Sequence, residues 1–141
     1  LVPIVTEVLA QIIQSLCGVG EGKSQMREKE VINAIEKAYP KMMKRFNQIT
    51  DDQYKLFCKK QYDYGSGNIN LGGDLEDDDD RMFALTALVI RMNDKVNRLK
   101  NIIVKHRGNN AVADETYLDA FRDLSIYGII AQLVSEKEWG R

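Results

Sequence analysis

Two carboxylates four residues apart, Asp119 and Asp123, open the segment Asp119-Ala-Phe-Arg-Asp123-Leu-Ser-Ile-Tyr-Gly-Ile-Ile. Residues at i and i+4 share one face of a helix. The same line continues through Ile126, Ile130 and Leu133. Acids that lead straight into an apolar line need compensation. Neighbouring carboxylates cannot share a poorly solvated place without a cation, a proton or an outward turn. Magnesium suits such a place, because it takes oxygen ligands and keeps several waters.

A further acid comes from upstream. One helical line passes Phe83, Ala87 and Ile90, then Asp94, Asn97 and Asn101. The final segment reverses that order, with Glu115, Asp119 and Asp123 before its apolar residues. A turn of about seven residues folds two such helices antiparallel. Counted from the turn, Asp94 and Asp123 differ by about three residues, roughly 5 Å of helix rise. Asp94, Asp119 and Asp123 are therefore the expected metal ligands, with Lys95 and Arg98 nearby to meet phosphate oxygens. The alternative is that these acids are surface ion-pair partners of Arg91, Arg98 and Arg122.

The elements that must position these residues read as helices throughout. The chain has 141 residues, 44% hydrophobic and 29% charged, as in an ordinary globular protein. One domain is the default at this length. A net charge of −1 gives no reason to expect nucleic acid or an anionic membrane as the main partner. Ile4, Val5, Val8, Leu9, Ile12, Ile13 and Leu16 mark an amphipathic first helix, with Pro3 in its first turn and Gly18 at its end. A glycine-rich linker runs to Gly22. A second helix is expected over 24–39, broken or kinked by Pro40. The capping-box pattern Thr50-Asp-Asp-Gln53 predicts a short third helix to Tyr62. Residues 63–80 are irregular, 79–106 form a long helix, and 114–139 form the last. The long helix should present Leu85, Leu88, Met92, Val96, Leu99 and Ile103 to the core. The fold class is thus all-α, a bundle of about five helices around a central antiparallel hairpin. Cys17 and Cys58 have no CxxC spacing and read as free thiols. The first segment is too short and polar to span a bilayer and lacks a basic start, so a cytoplasmic setting is expected.

Three other features are weaker. Gly18-Val-Gly-Glu-Gly-Lys23-Ser24 resembles a phosphate-binding loop, but Cys17 stands where its first glycine belongs and no strand precedes it. The acidic run Glu76 to Asp80 lacks the alternating ligands of a calcium loop and suits the start of a helix. His106 has no partners for zinc.

Three pieces of the chain resemble one family. They are Lys60-Gln-Tyr-Asp63-Tyr64-Gly65, Ile90-Arg-Met-Asn-Asp94-Lys95-Val-Asn-Arg98-Leu, and Asp119-x-x-x-Asp123-Leu-x-x-Tyr127. In order and spacing they resemble the all-α nucleotide pyrophosphohydrolases related to MazG and the dimeric dUTPases. More narrowly, they resemble the nucleotide-modification-associated domain often encoded by bacteriophages. The resemblance covers about residues 55–135 and places a MazG-like core over 50–139. It implies magnesium-dependent nucleotide chemistry, a homodimeric or larger assembly, and a bacterial host cytoplasm. Asp123 matches the Asp of the family's Glu-x-x-Asp motif, while Ala120 stands at the Glu position.

By that resemblance, magnesium on Asp94, Asp119 and Asp123 would polarise a water for attack on a nucleoside triphosphate. Asp63 or Glu115 would orient the water, and Lys60, Lys95 and Arg98 would hold phosphate. Tyr64 and Asn68 would contact base or sugar. Two alternatives stand beside this one. A depleted acid set suits a protein that sequesters a nucleotide or nucleotide signal without chemistry, and the first helix suits a helical oligomerisation protein.

Overall fold

The computed structural model describes residues 27–112 and 115–141. The expected first helix, the glycine linker and Cys17 lie outside these residues. The chain divides into two units, Leu1–Met43 and Lys44–Arg141. The described residues form five α-helices and one π-helical segment, with no strand among them.

In the first unit, α1 spans Glu28–Ala38. Glu28 and Glu30 lie in its first turn, where the positive end of the helix dipole favours carboxylates. The Glu30 carboxylate also accepts the Arg27 backbone N–H at 3.0 Å. The helix stops at Tyr39 because a residue before proline is pushed out of the helical region. Pro40 then opens α2, where a missing N–H is harmless.

Helix α2 spans Pro40–Tyr64 and crosses into the second unit without a break. This corrects the expectation of a new helix at Thr50. The Thr50 hydroxyl donates backwards, to Phe46 O at 3.2 Å and Asn47 O at 2.9 Å, and so caps nothing. The helix ends at Gly65, whose φ of 66° suits glycine. One turn of helix follows, α3 at Gly67–Asn70.

Helix α4 spans Asp78–Leu99, and Asp77 caps it by accepting the Asp79 and Asp80 N–H groups, each at 3.0 Å. The acidic run therefore starts the helix as its composition suggests. The chain continues into a π-helical segment, Lys100–Lys105, which ends at His106. Helix α5 spans Tyr117–Ser135, somewhat shorter than expected.

The core of the second unit holds Ile69, Leu75, Ala84, Leu88, Ile130, Val134 and Trp139. Its main packing is α4 against α5. Ala84 and Val134 are wholly buried, and the small Ala84 side chain admits close approach. Of the core stripe expected on α4, Leu88 and Leu99 are buried, Leu85 and Met92 half-buried, and Val96 and Ile103 exposed. Trp139 closes the core from the chain's end. Its indole N–H donates to Ser66 O at 2.9 Å, and its ring meets Phe57 edge-on at 6.1 Å. Gly140 follows with φ +80°, and a Cβ there would fall 2.8 Å from the Ser66 Cβ. No helix among the described residues is long and apolar enough to cross a membrane.

Two substitutions test this description. Thr50→Ala should leave stability unchanged or raise it by up to about 0.7 kcal/mol, because alanine is the better helix former. A loss of about 1 kcal/mol in urea unfolding would instead indicate a helix cap at Thr50. Gly140→Ala should destabilise by more than about 1 kcal/mol, since both the left-handed backbone and Ser66 oppose a Cβ. Unchanged unfolding midpoints would contradict the close approach.

Candidate functional site

A pocket of about 340 Å³ opens within the second unit, between α2, α3, α5 and Trp139. The continuity of α2 puts Gln53, Phe57, Lys60 and Tyr64 on one helical face, and all four line it. Helix α5 supplies Arg122, Asp123, Ile126 and Tyr127, α4 supplies Arg91, and α3 supplies Asn68 and Ile69. Four aromatic rings and three cations thus surround one space.

The pocket's one carboxylate is held by two lysines. Lys95 Nζ lies 2.8 Å from Asp123 Oδ2, and Lys60 Nζ lies 3.6 Å from Oδ1. The hydrogen bond to Asp123 raises the Lys95 pKa above its ordinary value, against a smaller effect of burial. Arg91 donates to the Asn68 backbone carbonyl at 3.0 Å. The Asn68 Oδ1 atom is buried and has no hydrogen-bond partner. Arg122 pairs with Asp119 at 2.9 Å, outside the pocket lining. Asp119 is fixed in turn by the start of α5, where its Oδ2 accepts the Thr116 N–H at 2.7 Å and the Thr116 hydroxyl at 3.1 Å. The Thr116 backbone N–H is the main cause that lowers the Asp119 pKa; the Thr116 hydroxyl and Arg122 add to it.

The structure brings together Lys60, Tyr64, Asn68 and Asp123 of the residues chosen from the sequence, with Lys95 behind Asp123. The others lie elsewhere. The line through Phe83, Ile90, Asp94, Asn97 and Asn101 is exposed, so Asp94 faces away from the core. The line that turns inward is Ala84, Leu88, Arg91 and Lys95, one residue around the helix. Glu115 pairs with Arg98 at 3.1 Å, and Arg98 also donates to the Thr116 and Glu115 carbonyls. Asp63 is exposed on the last turn of α2 and does not line the pocket.

These placements do not gather Asp94, Asp119 and Asp123 into one ligand set. Among the described residues no three acid, histidine or cysteine side chains group as metal ligands. Asp119 and Asp123 already carry donors that neutralise them. The arrangement can instead hold an anion with an attached ring. Arg122, Phe57 and Trp139 were not foreseen in this role. The signal for Phe57 was present as the α2 face Gln53, Phe57, Lys60, Tyr64, but it appears only if the helix runs through Thr50.

No protein-family model, curated protein or solved structure matches this chain.

The lowered Asp119 pKa has a definite sign in stability. A carboxyl whose folded pKa is depressed contributes fully above its unfolded value, about 3.9, and loses that contribution as pH falls through the folded pKa. Asp119→Asn removes the charge while keeping an acceptor for Thr116. The variant should therefore show a shallower loss of melting temperature than the parent between about pH 5 and pH 2. Parallel pH profiles would show that Asp119 has no such role.

Proposed function

We propose that this protein binds a nucleotide, or a nucleotide-derived small molecule, and sequesters it without hydrolysis. One observation carries the reading: Asn68, whose buried Oδ1 has no partner, lines a pocket together with four aromatic rings and three cations. Aromatic rings give a base a stacking surface. An asparagine amide can pair with a base edge. Lysine and arginine meet phosphate with charge-assisted hydrogen bonds.

The neutralised acids favour binding over turnover. Metal-assisted hydrolysis needs ligands free to hold the ion and an open position for water. The reading keeps α4 and α5 as the antiparallel hairpin of a MazG-like nucleotide-handling core, adapted to hold its ligand. It also takes the working form to be a homodimer or larger, since Met82, Phe83, Val89 and Ile90 leave an apolar side of α4 exposed. Light scattering should then give a mass above the 16.1 kDa of one chain.

Thermal-shift measurements over nucleoside mono- and triphosphates and cyclic dinucleotides, with and without magnesium, test the function. A bound ligand at a hundredfold its Kd should add about 2.7 kcal/mol of stability. Pyrophosphate should not appear. Magnesium-dependent release of pyrophosphate would establish the hydrolytic alternative, and the absence of any shift would remove the nucleotide reading.

A further inference from the structure

We propose that the pocket takes a dianionic mononucleotide without a metal ion, and that Asp123 sets this limit as an internal anion between Lys60 and Lys95. The inference rests on the nucleotide reading above and narrows it to one charge class, that of a nucleoside 5′-monophosphate.

The charge of the lining is the first support. Lys60, Arg91 and Arg122 face one carboxylate, Asp123, which leaves two positive charges. Adding the ions that pair with these residues, Lys95 and Asp119, leaves the same two. A monophosphate dianion matches that balance. A triphosphate brings about four negative charges, and the excess is costly in a partly apolar pocket without a cation. Among the described residues no three acid, histidine or cysteine side chains group to hold that cation.

The second support is size. About 340 Å³ lies at the low end of the range for small-ligand pockets. It suits one nucleoside with one phosphate better than a dinucleotide.

The third support is the unequal grip on Asp123. Its Oδ2 is held tightly by Lys95 at 2.8 Å, while Lys60 stands off from Oδ1 at 3.6 Å. Lys60 is also the more exposed lysine, with 56% of its side chain accessible against 31% for Lys95. A phosphate can therefore recruit Lys60 while the Lys95–Asp123 pair stays intact. The Arg122 guanidinium, beside it on α5, supplies the second contact. Asp123 then repels any further phosphate.

Calorimetry on the full chain tests this, with nucleosides, their 5′-monophosphates and their triphosphates, in chelator and in magnesium. Monophosphates should bind equally in both conditions, and triphosphates in chelator at least about tenfold more weakly. Asp123→Asn should tighten triphosphate binding by about tenfold, because one repelling charge is lost. A metal ligand at Asp123 would give the opposite sign. Lys60→Gln, at an exposed position, should weaken monophosphate binding by about tenfold and leave melting unchanged. It decides the matter even if Asp123→Asn does not fold. Tighter binding of magnesium triphosphate than of monophosphate overturns the dianion class and leaves the nucleotide reading standing. Equal binding of uncharged nucleosides does the same. If no nucleotide of any phosphate number binds, both fall together.

Discussion

The indole of Trp139 is the joint on which the second unit is assembled. It is only 6% exposed, although it lies two residues from the end of the sequence. A buried tryptophan removes a large apolar area from water, and its N–H needs a partner. Ser66 supplies that partner through its carbonyl, so the chain's last turn is fixed against the turn after α2. The Phe57 ring meets the indole edge-on, and through it α2 is positioned beside the core of α4 and α5. The ion pairs of Glu76 with Lys137 and Arg141 join the same regions, but exposed pairs contribute little. The packed indole therefore bears this attachment. It also forms a wall of the pocket, so the same packed ring shapes the site.

Charge compensation follows from which line of α4 turns inward. Buried Ala84 and Leu88 define that line, and continuing it brings Arg91 and Lys95 toward α5. Asp123 lies on the inward side of α5, between buried Ala120 and buried Ile130. An acid leading into an apolar line is thus met by an ammonium group from the facing helix. Asp119, one turn earlier, serves a different need. The start of a helix leaves N–H groups without partners, and Asp119 accepts one of them while Arg122 offsets its charge. Two carboxylates with identical spacing cues therefore take separate structural tasks.

Much of the fold could be read from residue periodicity and stop signals. The all-helical class, the break at Pro40 and the acidic start of α4 each have a local cause, and local causes are visible in sequence. The Thr50 capping pattern misled because a capping side chain can equally bond back within a helix, and nothing nearby in the chain distinguishes the two. The site was legible only in part. Asp123 stood out by its spacing from Asp119, while Lys60, Tyr64 and Asn68 entered through the family resemblance. Asp94 failed because the Phe83 and Ala84 lines differ by one residue of rotation, and both begin with apolar residues. Only packing against α5 decides between them. Trp139 could not be placed without knowing where the segment after α5 returns.

The segment between α2 and α4 departs from the economy of the rest. Asn68 carries a buried oxygen with no partner, and such an atom costs about 1–3 kcal/mol. Three residues on, Leu71 adopts φ 54°, a left-handed conformation that non-glycine residues rarely take. Neither feature is required by the core, which uses only Ile69 from this turn. Arg91 holds the segment in place by its bond to the Asn68 carbonyl, and so keeps the amide where it is. A domain with a small core has little stability to give away. Two unfavourable features thus fall within four residues, in a segment that Arg91 anchors through a part-buried hydrogen bond. The backbone of α3 is thus tied to α4 through Arg91, beside the pocket that Asn68 and Ile69 line.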